Sequence, residues 1–318
     1  MDTPNTNQPQ WERKLLERLA VASLKEQRAK RRWGIFFKFA MLAYFVIAMI
    51  VWIDWGRSDT SSDGKHTALI NLNGVIESTG DNSADKVNNA LQAAFKDKNT
   101  SGVILRINSP GGSPVQSGII YDEIRRLRTK YPKIPLYAVV EDVCASGGYY
   151  AASAADKIFV DKASVIGSIG VRMDGFGFTG VMEKVGVERR LMTAGNNKGF
   201  LDPFSPQDEK QKAHAEALLG EVHKQFIDAV RQGRGQRLKE TPEIFSGLIW
   251  TGAQGIQMGL ADDFGTVDSV ARDIIKAENV LDYSLKENIA ERFAKRLGAE
   301  AGNGFAARLF GSDAAALH

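Results

Sequence analysis

The sequence predicts an α/β fold, a parallel sheet with flanking helices, preceded by one N-terminal transmembrane helix. Three observations predict it. From residue 66 onward, short β-rich runs alternate with helical stretches, and strands joined by crossover helices form a parallel sheet. Ahead of them lies one long apolar run, Trp33–Ile53. At 318 residues, with 43% hydrophobic residues and 31 glycines, the chain is long enough to bury a sizeable core and is globular in composition.

The elements follow in chain order. Residues 1–32 form a basic tail with eight Lys/Arg against four Asp/Glu. Within it, Trp11, Leu15, Leu19 and Ala22 recur at helical spacing. Residues 10–30 therefore read either as an amphipathic cytoplasmic helix or as a solvated tail. Residues 33–55 are the transmembrane helix. Its apolar run, WGIFFKFAMLAYFVIAMIVWI, carries one charge, Lys38, which can snorkel toward the headgroups. At 1.5 Å per residue the run spans roughly 30 Å, the thickness of a bilayer core. Trp33, Trp52 and Trp55 stand where interfacial rings are expected. Lys30, Arg31 and Arg32 precede the span, and Asp54, Arg57 and Asp59 follow it. The positive-inside rule then predicts a single-pass protein of the cytoplasmic (inner) membrane, with its N-terminus in the cytoplasm and the rest outside. A cleaved signal peptide fits less well, because the run is long, starts late and is followed by no A-x-A site.

Residues 56–65 are a polar linker. The body, residues 66–285, starts with strands expected at His66–Val75, Val103–Ile107, Leu136–Val140 and Lys157–Val160. Helices are expected at about Ala84–Lys96 and Pro114–Thr129. Ser205-Pro206-Gln207-Asp208 reads as a helix start, with Ser205 as N-cap and Pro206 at the first helical position, running to about Gln232. A shorter helix follows Thr251 and ends near Gly259. Residues 286–318 form a tail, rich in small residues from Gly298 onward and expected to be partly disordered.

Composition excludes several functions. After residue 56 the chain holds 32 Lys/Arg against 33 Asp/Glu, so it offers no basic face for nucleic acid. Cys144 is the only cysteine, which excludes an intrachain disulfide and a multi-cysteine metal site. The sequence calls for no cofactor and no metal.

The chemistry concentrates at three glycine-rich points that follow strand-like runs. The first is Asn108-Ser109-Pro110-Gly111-Gly112-Ser113. Its bare N–H groups read either as an oxyanion hole or as an ordinary strand-to-helix turn. It is neither a P-loop nor a dinucleotide loop. The second is Ser146, in Val143-Cys-Ala-Ser-Gly-Gly-Tyr-Tyr150. Two glycines after a serine suit a sharp turn that lifts the hydroxyl clear. Cys144 holds the place where a G-x-S-x-G elbow needs glycine, so this is not an α/β-hydrolase signature. Cys144 itself reads as a small buried thiol. The third is Ser168, in Gly167-Ser-Ile-Gly170. It either orients a lysine amine or closes a turn, and the turn is the simpler reading.

A serine needs a base to take its proton. The four histidines are His66, which borders the linker, His318, which ends the chain, and His214 and His223, which read as a solvated helix face. A Ser-His-Asp triad thus has poor candidates, and lysine is the alternative. A free lysine amine, with a pKa of about 10.4, becomes a base at neutral pH only when desolvation disfavours its charged form. Lys198 lies 52 positions after Ser146, beside Phe200, Leu201 and Phe204, which are able to help exclude water. Local chemistry alone does not lift it above Lys157, Lys162 or Lys184.

Taken together and in order, these motifs resemble the signal peptide peptidase A family, with a ClpP/crotonase-like fold. The resemblance covers about residues 66–270. It rests on Asn108–Gly112, Ala145–Tyr150, Gly167–Val171, Trp250-Thr-Gly-Ala-Gln254 and Gly259-Leu-Ala-Asp262. It implies Ser146 as nucleophile, Lys198 as general base and Ser168 as the hydroxyl that positions the lysine. It implies oxyanion donors at Gly147 and at Gly111 or Gly112. It also implies a ring-like homo-oligomer whose neighbouring protomers complete each site. The Gly-Phe-Leu-Asp after Lys198 departs from the more polar segment expected there. The chain is also about half as long as the duplicated family members, so an oligomer has to supply what duplication supplies in them.

The resulting expectation is a membrane-anchored serine endopeptidase. It degrades cleaved signal peptides or other short hydrophobic peptides through an acyl-enzyme formed by a Ser–Lys dyad. Two rivals share the fold. One is a crotonase-type acyl-CoA enzyme, which export from the CoA-containing cytoplasm disfavours. The other is a non-catalytic membrane scaffold.

Overall fold

The computed structural model describes residues 10–55 and 64–284. They fall into two compact units, one ending at Ser61 and the other beginning at Ser62. The first nine residues of the tail, residues 56–63 of the linker and residues 285–318 lie outside the described residues.

The first unit is a single helix, α1 (Gln10–Trp55). Residues 10–30 and the apolar run are therefore one helical element. No proline interrupts it, and its residues are mostly good helix formers. Over Lys30–Met49 its mean hydropathy is 1.5, and by length and composition this stretch suffices to cross a membrane. Its side chains there are exposed rather than packed in a core.

The second unit is a sheet covered by helices. It runs β1 (His66–Asn73), α2 (Ala84–Lys96), β2 (Thr100–Ser109), α3 (Pro114–Lys130), β3 (Leu136–Ala145), α4 (Gly147–Ser153), β4 (Lys157–Val160) and β5 (Val165–Gly167). Then come α5 (Thr179–Lys184), α6 (Glu209–Arg234), β6 (Ile249–Thr251), α7 (Gly252–Met258), β7 (Asp263–Phe264) and β8 (Val280–Asp282). The order across the sheet is β6-β5-β3-β2-β1-β8, with β4 on β3 and β7 on β4. Every pairing is parallel except β5 with β6.

The central strands are apolar at nearly every position because both faces are covered. Alternate residues sort between two cores. Ile70, Leu72, Leu105 and Val140 pack with Leu91 and Phe95 of α2 and Ile120 and Ile124 of α3. Leu69, Ile104 and Val139 pack on the other side with Phe159, Val270 and Ala271. Strand β3 forks. Tyr137–Val139 pair with β4, and Val143–Ala145 pair with β5. The end of β3 thus stays between β2 and β5 and delivers Ser146 to the point where α4 begins.

One helix start differs from the expectation. Asp208, not Ser205, caps α6, and its carboxylate accepts from the N–H groups of Lys210 (2.8 Å) and Gln211 (3.0 Å). The Ser205 hydroxyl instead donates to Asp202 (2.7 Å), so it is not free to cap.

The Gly259–Asp262 motif braces α4 and α6. Tyr149 Oη donates to the Leu260 carbonyl (2.7 Å), and Arg234 Nε donates to the Gly259 carbonyl (2.8 Å). Asp262 accepts from buried Arg234 (2.8 Å), from Arg237 (3.1 Å) and from the Ile158 N–H (2.7 Å). Burial works against its charged form, but the hydrogen bond and charge of Arg234, aided by Ile158 and Arg237, hold its carboxyl below the usual range. A lowered folded-state value makes this stabilisation fully present above the ordinary carboxylate range and lost as pH falls through the folded value. Asp262→Ala strands two guanidinium groups, one of them fully buried, and is expected to destabilise the protein by roughly 3–5 kcal/mol. Denaturant unfolding at neutral pH checks this. Unchanged stability would remove the brace from the account.

Candidate active site

Ser146 occupies the residue between β3 and α4 with φ 52° and ψ −124°. A non-glycine residue there costs on the order of 1–3 kcal/mol and persists only where its surroundings impose it. They do so here. The Ser146 N–H donates to the Gly167 carbonyl (2.9 Å), and its own carbonyl accepts from the Tyr150 N–H (2.9 Å). The Ser146 hydroxyl does not cap α4 and has no hydrogen-bond partner among the described residues. It is left for chemistry.

The loop between β2 and α3 forms the facing wall. Ile76 pins it from both sides, donating to the Gly111 carbonyl (2.9 Å) and accepting from the Ser113 N–H (2.8 Å). The two glycine N–H groups of the loop differ in their partners. The Gly111 N–H is spent on the Ser109 hydroxyl (3.1 Å). The N–H groups of Gly112 and Gly147 have no acceptor among the described residues. Gly111 is needed for another reason. At φ +98° a Cβ would be strained, and it would lie 2.6 Å from the Gly147 nitrogen and 2.7 Å from Ser146 Cβ. Gly111→Ala therefore has to displace both the Gly147 nitrogen and Ser146. Its kcat is expected to fall by about 10²- to 10³-fold, the usual cost where such an N–H group serves an oxyanion. Steady-state kinetics measure this, and wild-type kcat would contradict it.

Ser168 is the third component. It also has a left-handed backbone, φ 53°. Its N–H donates to the Leu248 carbonyl (2.7 Å), and its carbonyl accepts from the Gly170 N–H (3.0 Å). Its hydroxyl has no partner among the described residues. Ser146, Gly147, Gly111, Gly112 and Ser168 all line one cavity of about 720 Å³. Val75, Tyr150, Val171, Val222 and Phe226 give it apolar walls, and Arg172 lies among them. A smaller cavity of about 220 Å³ is lined by Asn71, Asn73, Lys86 and Ser284, and there the serine hydroxyl is engaged, accepting from the Asn71 N–H (2.8 Å).

Lys198 does not line the cavity of its own chain. It stands exposed in the turn Gly195–Leu201, and its side chain makes no hydrogen bond or ion pair among the described residues. The neighbours expected to shelter it are engaged elsewhere. Phe200 packs edge-on against His214 (5.7 Å between rings), and Phe204 stacks on Phe178 (5.4 Å). The whole stretch from Arg172 to Phe204 carries unusual apolar exposure, including Met173, Phe176, Val185 and Met192.

One reading of the sequence changes. His223 is not on a solvated face. It is half-buried, with Nε2 3.1 Å from the Ile169 carbonyl. His66 is buried, with Nε2 3.0 Å from Tyr283 Oη. Cys144 is buried as expected, and burial pushes its thiol up, away from thiolate chemistry. Among the described residues no cluster of three or more His, Cys, Asp or Glu is placed to hold a metal ion.

A strained serine at a strand-to-helix junction of an α/β sheet thus shares its cavity with two N–H groups that have no acceptor among the described residues. The sequence pattern of peptidase family S49 matches residues 128–281, a stretch that contains Ser146, Ser168 and Lys198. The chain is 30% identical over 238 residues to a putative signal peptide peptidase SppA of Enterococcus faecium, covering 72% of this chain and 68% of that one. It is 32% identical over 249 residues to the probable protease SohB of Haemophilus influenzae, covering 76% and 67%. It is also 47% identical over 182 residues to a protein of Brucella abortus named Na(+)/H(+) antiporter NhaA, covering 57% of this chain but only 25% of that one. Most of the Brucella protein thus has no counterpart in the alignment. The chain belongs to peptidase family S49, the signal peptide peptidase A family.

Proposed function

We propose that this chain is a membrane-anchored serine endopeptidase that degrades cleaved signal peptides or other short hydrophobic peptides. Ser146 is its nucleophile and Lys198 its general base, and the lysine comes from a neighbouring copy in a ring-like homo-oligomer. One observation carries the reading: the hydroxyls of Ser146 and Ser168 share a cavity with the N–H groups of Gly147 and Gly112, and none of the four has a partner among the described residues. The apolar walls of that cavity suit a hydrophobic peptide. The exposed position of Lys198 and the apolar surface of residues 172–204 favour a partner copy that covers both. The apolar helix and the basic residues before it favour an anchor with its N-terminus in the cytoplasm.

The chemistry follows from the placement. Ser146 Oγ attacks the peptide carbonyl while the amine of Lys198, held by the Ser168 hydroxyl, takes the proton. The N–H groups of Gly147 and Gly112 receive the developing oxyanion. Lys198 returns the proton to the leaving amine, and water releases the acyl group from Ser146. A lysine serves as this base only where water is excluded, which the subunit boundary provides.

Covalent labelling tests the proposal. Full-length protein in detergent micelles is treated with a fluorophosphonate and digested. The expected result is one phosphonyl adduct, on the peptide carrying Ser146. A folded oligomer whose Ser146 stays unmodified would instead favour the non-catalytic scaffold.

A further inference from the structure

We infer that His223 is a positioning residue that fixes Ser168 through its hydrogen bond to the Ile169 carbonyl. The inference rests on the reading of Ser168 as the hydroxyl that orients the lysine amine. A carbonyl only accepts, so the ring presents Nε2–H to it, at 3.1 Å. Ile169 lies between Ser168 and Gly170, both of which line the cavity. Ser168 holds a left-handed backbone that a serine does not keep unaided. Three hydrogen bonds hold this turn. Two are backbone to backbone, from Ser168 N–H to Leu248 and from Gly170 N–H to Ser168. The third is from His223, the one of the three that a side-chain substitution removes.

The helix that carries His223 is itself fixed to the nucleophile's helix. Phe226, one turn further along α6, stacks on Tyr150 of α4, with ring centroids 4.8 Å apart and planes 10° apart. Tyr121 Oη donates to the Ala229 carbonyl (3.2 Å). One face of α6 therefore touches both halves of the site: Phe226 reaches the helix that begins at Ser146, and His223 reaches the turn that carries Ser168. It sets the spacing between the two hydroxyls. Geometry of this kind affects the chemical step more than substrate binding, and a misplacement of about 1 Å costs up to ~10²-fold.

The test is a double-mutant cycle on the full-length protein in detergent micelles. His223→Leu is expected to lower kcat by roughly 10- to 100-fold with little change in KM. His223→Gln, which retains an N–H donor, is expected to restore most of that loss. In a Ser168→Ala background, with activity read above the Ser146→Ala baseline, His223→Leu is expected to change nothing further. If His223→Leu folds poorly, His223→Asn replaces it, since its shorter amide leaves the carbonyl unserved. Wild-type kcat in His223→Leu, or in His223→Asn where that replaces it, would overturn the inference. So would an equal loss in the wild-type and Ser168→Ala backgrounds, because His223 would then act independently of Ser168. In that case an impaired Ser168→Ala leaves the reading of Ser168 intact. A fully active Ser168→Ala overturns that reading and the inference with it.

Discussion

Ser146→Ala is expected to lower kcat for hydrolysis of a hydrophobic peptide by ~10⁴-fold or more, the scale seen when a peptidase loses its nucleophile. The fold is expected to survive intact. Alanine keeps the Cβ, so the strained backbone at φ 52° is no worse than before. The bond from residue 146 to the Gly167 carbonyl uses the backbone N–H, which the substitution retains. The lost hydroxyl makes no hydrogen bond among the described residues. Removing it therefore leaves no buried group unsatisfied. Product formation followed by mass spectrometry, paired with a thermal melt, separates the two effects. Hydrolysis at the wild-type rate would move the nucleophile elsewhere. A large loss of stability would mean that Ser146 is structural.

Lys198→Ala is expected to cause a loss of similar size, because nucleophile and base act as a unit whose single deletions are not additive. This substitution should be even milder for the fold, since Lys198 is exposed and its side chain is unbonded within the described residues. Lys198→Arg is expected to fail as well. A guanidinium stays protonated at any pH the protein tolerates, so it cannot accept the serine proton. The pair of variants thus separates a need for positive charge from a need for a base. Activity in Lys198→Arg but not Lys198→Ala would turn the lysine into an electrostatic partner. Full activity in both would remove it from the mechanism.

The regular parts of this fold were legible wherever an element was long enough to show its period. Strands β1 to β4 and helices α2 and α3 fall close to where the alternation of His66–Val75, Val103–Ile107, Leu136–Val140 and Lys157–Val160 with helical stretches put them. Strands β5, β6 and β8 have three residues each and β7 has two, too few for a pattern to register. Helix α4 was hidden by its opening Gly147-Gly148, which reads as a turn and folds as a helix because Tyr149 is anchored in the core through the Leu260 carbonyl. The start of α6 was misplaced because Ser205 and Asp208 are both good caps, and only tertiary structure shows that Asp202 takes the serine hydroxyl.

The site shows the same division. Glycine spacing marked Ser146, Ser168 and the Gly111–Gly112 loop, and the fold brings all of them to one cavity. The choice between Gly111 and Gly112 depends on a bond to the Ser109 side chain that no spacing encodes. His223 was readable in principle. It falls at helical spacing with Leu219, Phe226 and Val230, on the inward stripe of α6, and its charged neighbours obscured that position. Lys198 was singled out by family resemblance alone, and its place in a single chain explains why. Nothing within one protomer makes it special.

Subunit mixing tests the central claim most directly. Full-length Ser146→Ala and Lys198→Ala proteins, each inactive alone, are co-expressed as mixed oligomers. If the dyad spans a subunit boundary, a boundary is intact wherever a chain that kept Ser146 meets a chain that kept Lys198. Random equal mixing around a ring of head-to-tail contacts then restores roughly a quarter of the wild-type sites. If Ser146 and Lys198 pair within one chain, every site lacks one of them and the mixture stays inactive. Recovery to about a quarter of wild-type activity is the predicted result, and an inactive mixed oligomer would contradict it.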